Sequence, residues 1–121
     1  MYNLGSYFTI HAHGDNISKI KKYPHHLISK TFGTTQTRSL HNVFNIGGFT
    51  DGDRALILAE YFNPNEILLV GMDFGNIVGE YSKRNTPYNH PAPIKKRLKL
   101  EFADMIVKWV KETSKIKIKI L

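Results

Sequence analysis

The 121-residue chain contains no cysteine. That absence excludes disulfides, thiolate metal ligands and cysteine nucleophiles together. Long apolar runs are missing too, and no stretch approaches the ~20 residues needed to span a bilayer. The opening residues, MYNLGSYF, lack the basic and apolar regions of a secretory leader. A cytoplasmic protein without a membrane partner is the expectation. Acidic residues are scarce, 10 against 17 lysines and arginines, which leaves a formal charge of +7. A surplus of that sign suits an anionic partner. Basic residues interleaved with exposed aromatics, the pattern of single-strand nucleic-acid binders, do not occur. A phosphate-bearing small molecule is therefore expected, and no nucleic acid. What is present is ordinary for a soluble globular chain, 41% hydrophobic and 22% charged.

The hydrophobic pattern alternates between strands and helices. Residues 7–13, YFTIHAH, alternate and are rich in β-branched and aromatic side chains, which predicts a strand ending at Gly14. Residues 26–37 hold a second strand that breaks into a polar turn at Gly33. Residues 42–46, NVFNI, read as a short apolar strand stopped by Gly47 and Gly48. Residues 51–62 place Ala, Leu, Ile and Tyr on nearly every side, as in a helix buried between a sheet and a neighbour. Residues 67–74, ILLVGMDF, form a continuous apolar strand of the kind found inside parallel sheets. Residues 75–93 hold two glycines and three prolines, a loop long enough to suggest a functional role. Ile94, Leu98, Phe102, Met105, Ile106 and Trp109 recur at helical spacing and predict an amphipathic helix to about Thr113, with Trp109 in its packing face. The tail KIKIKIL is an edge strand whose lysines discourage edge-to-edge pairing. This order predicts an α/β fold, a Rossmann-like three-layer sandwich with a mostly parallel sheet, built as one domain over residues 1–121.

In open α/β sheets, ligands bind beyond the carboxyl ends of the strands. Three polar clusters fall there: HGDN after the first strand, GGFTDGD after the third and GMDFG at the end of the fourth. A parallel arrangement gathers Asp15, Asp51, Asp53 and Asp73 along one rim. Crowded carboxylates repel unless a proton or a hard cation neutralises them. Magnesium accepts one or two carboxylates and fills its other positions with water and substrate phosphates. The aspartates then hold the metal, the metal holds the phosphates, and glycine lets the chain approach. A purely structural reading of TDGD stands beside this one with equal weight. Thr50 caps the helix, Asp53 reaches back to it, and Asp51 favours the positive helix end by ~0.3–1 kcal/mol. The two readings are compatible. Asp15 and Asp73 can each close an Asx-turn instead. His11 and His13 share one face of a strand and form a weaker, zinc-type alternative. Lys95, Lys96 and Arg97 open a helix as a solvated face from which one of them can reach a phosphate.

Taken together, FTIHAHGDN, TTQT, NIGGFTDGDRALILAEYF, ILLVGMDFG and GEYS, followed by KKRLKLEFA, resemble the archaeal MptE-like family of 6-hydroxymethyl-7,8-dihydropterin pyrophosphokinases. The resemblance runs in order over about 100 residues, and that family in turn is similar to the catalytic domain of thiamine pyrophosphokinases. It implies ATP- and Mg2+-dependent transfer of a diphosphate to a pterin hydroxymethyl group, with release of AMP. It implies that Asp15 is the first acidic site and that Asp51 and Asp53 are the second, all three as magnesium ligands, with Asp15 and Asp53 catalytic. Gly14, Asn16, Gly47, Gly48, Thr50 and Lys96 are the nucleotide contacts expected beside them. It also implies that residues 1–121 correspond to the C-terminal part of a longer architecture, and that missing strand neighbours favour a homodimer. A non-catalytic α/β module that binds a nucleotide or sugar phosphate is the competing class.

Overall fold

Alternation in the first apolar segment produces β1 (Phe8–Ala12), and the rest of the chain follows as a mixed α/β structure with parallel pairing. The computed structural model describes residues 5–72, 74, 77–78, 90–91 and 93–121. Two compact units divide the chain, Met1–Gly47 and Gly48–Leu121.

In the first unit, β1 leads into α1 (Ile17–Ile20), a 3-10 helix (His25–Lys30), β2 (Thr31–Thr35) and β3 (Val43–Phe44). The three strands form one parallel sheet in the order β1-β2-β3, with Ile10 opposite Gly33 and Gly33 opposite Val43. Two expectations change here. The second strand does not break at Gly33 but runs through it. A Cβ at that position would lie 3.1 Å from both the Asn42 carbonyl oxygen and Val43 Cγ2, so glycine serves the close approach of β3 rather than a turn. The third strand shrinks to two residues because Leu40 and Val43 exchange backbone hydrogen bonds of 3.0 Å across a turn. Asn42 takes the left-handed conformation in that turn, at φ 66°. β2 lies between β1 and β3 in this sheet.

Among the described residues, this unit buries Thr34 and Thr35 but no apolar side chain fully. Polar contacts tie its elements instead. His11 Nδ1 lies 2.9 Å from Thr34 Oγ1, and Thr31 Oγ1 donates to the Leu27 carbonyl at 2.7 Å. A groove of about 860 Å³ runs along the unit, lined by Ile10, Ala12, Ile20, Tyr23, Phe32 and Val43 among others.

The second unit is built differently. Its elements are α2 (Asp51–Tyr61), β4 (Glu66–Leu69), β5 (Ile77–Val78), β6 (His90–Pro91), α3 (Ile94–Thr113) and β7 (Lys117–Ile120). β4 is shorter than the apolar run predicts. It pairs in parallel with β7, Ile67 opposite Ile118 and Leu69 opposite Ile120, and the Leu121 N–H extends the ladder to the Leu69 carbonyl at 2.9 Å. Leu56 of α2, Ile67 and Leu69 of β4, and Val107 and Val110 of α3 form a buried cluster. Full burial of an aliphatic side chain contributes ~1.5–3 kcal/mol, so these five residues anchor the unit. β5 and β6 form an antiparallel pair within the long segment read as a loop. The other residues of that segment lie outside the described residues, apart from Pro93.

Helix α3 spans the predicted residues, but its packing face is not the predicted one. Ala103, Val107 and Val110 are buried, whereas Ile94, Leu98, Phe102 and Met105 are exposed and Trp109 is 61% exposed. Of the predicted stripe, Ile106 alone packs against the core cluster. The helix carries two apolar stripes, and helical period identifies both without choosing between them. The small aliphatic stripe faces the core, where Ala103 and the valines let the helix approach α2 and β4. Among the described residues, no helix is long and apolar enough to cross a membrane.

Candidate functional site

Two turns carry the acidic residues singled out by the sequence, one in each unit. The first follows β1. Gly14 adopts φ 85°, which turns the chain away from the strand. Asn16 then fastens the turn back onto the strand end with both side-chain atoms. Its Nδ2 donates to the His11 carbonyl at 2.7 Å, and its Oδ1 accepts from the His13 N–H at 3.2 Å. The Asn16 carbonyl also accepts the first bonds of α1, from Lys19 and Ile20 at 3.0 Å. Asp15 sits between these anchors and is exposed. Asn16 thus shapes the turn, and Asp15 is presented by it.

The second turn opens α2. Gly47 and Gly48 adopt φ 84° and 83°. At Gly48 a Cβ would fall 2.8 Å from Arg54 Cα, so the backbone there touches the first turn of the helix. Thr50 is the N-cap of a complete capping box with Asp53. Asp53 is fully buried. Its Oδ1 accepts from the Thr50 N–H at 2.6 Å and from the Thr50 hydroxyl, and its Oδ2 accepts from the Phe49 N–H at 2.6 Å. Asp51, two residues earlier, is exposed.

Arg54, which the sequence reading passed over, is also buried at 5% exposure and donates through its guanidinium to the Gly48 carbonyl at 3.1 Å. Its signal in the sequence was a charge set inside an apolar helical pattern. Thr34, fully buried against His11, was missed as well and carries no signal beyond strand propensity. Lys96 lies half-buried in the first turn of α3, where its N–H donates to the Pro93 carbonyl at 2.8 Å. The imidazoles of His11 and His13 stand edge to face with centroids 4.8 Å apart, as residues two apart on one strand allow. Asp73 lies outside the described residues.

Asp15 and Asp51 therefore offer exposed carboxylate oxygens on turns held by their neighbours. Hard oxygen donors of this kind fit a hydrated magnesium ion, which keeps several waters and uses few protein ligands.

Comparison with known proteins gives a consistent result. Residues 1–79 match the family described as 6-hydroxymethylpterin diphosphokinase MptE-like. A 6-hydroxymethyl-7,8-dihydropterin pyrophosphokinase of Pyrococcus furiosus is 45% identical over 112 residues, covering 90% of this chain and 46% of that protein. Proteins of the same name from Methanothermobacter thermautotrophicus and Methanocaldococcus jannaschii are 39% and 41% identical, covering 94% and 93% of this chain and 49% and 48% of theirs. The chain thus spans about half the length of the curated relatives it matches. With the family match extending over both acidic turns and into β5, the chain belongs to the 6-hydroxymethylpterin diphosphokinase MptE-like family.

Proposed function

We propose that this chain takes part in the transfer of diphosphate from ATP to the hydroxymethyl group of 6-hydroxymethyl-7,8-dihydropterin. The pterin hydroxyl oxygen bonds to the β-phosphorus, the bond from that phosphorus to the bridging α–β oxygen breaks, AMP leaves, and the hydroxyl proton is lost. The observation that carries the reading is the pair of exposed aspartates, Asp15 and Asp51, each on a glycine-containing turn that a neighbouring side chain holds in place. The names of the relatives supply the substrate.

Asp15 in the first unit and Asp51 in the second would each serve as a magnesium ligand. A magnesium ion held there would supply positive charge to offset the charge that builds on the phosphates during transfer. The chain's own residues do the rest. Asn16 and the capping box of Thr50 and Asp53 fix where the carboxylates stand. Gly14 and Gly47, where a Cβ would meet nothing within 4 Å, leave the turns without side chains against an incoming nucleotide, and Gly48 lets the second turn close onto α2. Lys96, at the start of α3, supplies positive charge for a phosphate. Alignment of the hydroxyl with the phosphorus accounts for much of the acceleration in such transfers. A cytoplasmic location accords with ATP as co-substrate.

The exposed stripe of Ile94, Leu98, Phe102, Met105 and Trp109 supports association of two copies through α3, since apolar stripes of this size are seldom left in water. Light scattering checks this part of the reading: a dimer that becomes monomeric in Trp109→Glu agrees with it, and a monomer at all concentrations removes it. For the activity, the chain is incubated with ATP, magnesium and the pterin alcohol. Pterin-dependent AMP release agrees with the proposal. Nucleotide binding with no AMP release points instead to a non-catalytic α/β module.

A further inference from the structure

The glycine turn before α2 has the outline of a phosphate-binding loop but already contains an anion. Consecutive backbone N–H groups that converge on one point form a nest for a phosphate or carboxylate. In this turn the N–H groups of Phe49 and Thr50 converge on the Asp53 carboxylate at 2.6 Å each, and the Thr50 hydroxyl donates to the same group. Charge-assisted bonds of this length are about twice as strong as neutral ones. From the other side, the buried Arg54 guanidinium holds the Gly48 carbonyl. The turn is therefore closed around its own carboxylate.

We propose that Asp53 is a positioning residue that fills the anion nest of this turn from within, so that the turn receives phosphate only through a cation held on Asp51. The second clause rests on the function proposed above, whereas the first stands on the turn alone. An ionised carboxylate has about four acceptor positions, and three are taken inside the turn. The remaining one opens onto no solvent, because Asp53 is 0% exposed. Magnesium binds with most of its waters still attached, and a hydrated ion of that size requires an exposed ligand. Asp51 meets the requirement and Asp53 does not. The placement of aspartates where a phosphate loop would show free N–H groups thereby acquires a physical reason. One aspartate blocks direct phosphate binding, and the other recruits the ion that replaces it.

The test follows the Phe49 and Thr50 amides by NMR in the full chain, using pyrophosphate as the probe. In EDTA, pyrophosphate is expected to leave both parental amides unmoved. In Asp53→Ala, which empties the nest, the same titration is expected to shift both amides and to tighten metal-free pyrophosphate binding at least tenfold. A purely structural cap would give no such gain. Should Asp53→Ala fail to fold, the parental titration and manganese binding in Asp51→Asn still decide. Manganese affinity is expected to fall at least tenfold in Asp51→Asn. Movement of the two parental amides with metal-free pyrophosphate, an Asp53→Ala protein that folds but gains no affinity, or unchanged manganese binding in Asp51→Asn would each overturn the assignment. None of these measurements involves turnover, so a chain that releases no AMP leaves them intact.

Discussion

The two units reach a similar local result by opposite means. Residues 48–121 are anchored by a buried apolar cluster of Leu56, Ile67, Leu69, Val107 and Val110. Residues 5–47 bury two threonines, no apolar side chain fully, and leave a groove along one side. Both nevertheless present one exposed aspartate beside a polar residue that clamps the turn, Asn16 behind Asp15 and Asp53 behind Asp51. A clamp made of hydrogen bonds sets geometry but adds little net stability, ~0.5–1.5 kcal/mol per bond. Burial supplies the stability, and here it is concentrated in one unit. The geometry of an acidic turn and the stability of the unit beneath it are therefore separable, and substitutions can separate them.

The largest stability effect is expected at Leu56. Truncating this fully buried side chain removes contact with both β4 and α3, and Leu56→Ala should cost ~2–5 kcal/mol in denaturant unfolding. The midpoint of the second unit should fall by several degrees. A cost below ~1 kcal/mol would mean that the cluster collapses around the gap, and the contrast between the units would lose its basis.

Next come the presented carboxylates. Asp15→Asn and Asp51→Asn keep the side-chain shape and remove the charge. Each should lower AMP release ~10²–10³-fold, or ~3–4 kcal/mol in the barrier. Because both residues are exposed, melting should change by less than ~0.5 kcal/mol at Asp15 and by at most ~1 kcal/mol at Asp51, whose charge lies at the positive end of α2. A rate within threefold of the parent at either position would rule out the proposed magnesium-ligand role of that aspartate. Loss of folding at either would show that the turn depends on the residue it presents.

How much of this could be read from the residues alone differs between the units for the same physical reason. Helices α2 and α3 were legible to within a residue, because α2 carries its capping box in the sequence and α3 runs 20 residues without a breaker. The choice between α3's two apolar stripes was not legible, since it depends on which one the neighbouring layer can approach. In the first unit, Gly33 reads as a turn because isolated glycines usually mark one. Its true role, making room for Asn42 and Val43, is set by a contact nine residues away. At the second acidic turn the spacing TDGD offered Asp53 both as a cap partner of Thr50 and as a magnesium ligand, beside Asp51 at the helix end. The full burial of Asp53, with the Phe49 N–H as a further donor, comes from loop geometry that the spacing does not encode.

A smaller effect should mark the open side of the first unit. Ile10 is half-buried and faces the groove. Full burial of such a side chain is worth ~1.5–3 kcal/mol, so Ile10→Ala should cost roughly half of that, about 1 kcal/mol. Amide exchange should be faster in β1 and β2 than in β4 and α3, as expected where few apolar contacts back the hydrogen bonds. A cost at Ile10 equal to that at Leu56 would show that the groove is filled in solution, and would point to the partner copy or another covering surface.

The smallest effect is expected at the edge of the second unit, where charge and burial meet in one strand pair. Glu66 of β4 accepts from Lys119 at 2.7 Å and lies 3.9 Å from Lys117, both on β7. The geometry looks favourable, yet the Glu66 side chain is 42% exposed and the lysines are 48% and 69% exposed. Water and salt screen such pairs, and ordering long side chains offsets part of the attraction, so exposed bridges contribute ~0–1 kcal/mol. The alternating lysines face outward while Ile118 packs against the core cluster and pairs with Ile67 across the ladder. Glu66→Gln should therefore lower stability by less than ~1 kcal/mol, and the difference should shrink further as ionic strength rises past 0.5 M, where the Debye length is under ~5 Å. Ile118→Ala in the same strand should cost more and be indifferent to salt. The reverse order, a large salt-sensitive loss at Glu66 and a small one at Ile118, would mean that β7 is held by its charges. The second unit would then rely on polar contacts as the first does, and the contrast between them would be one of degree.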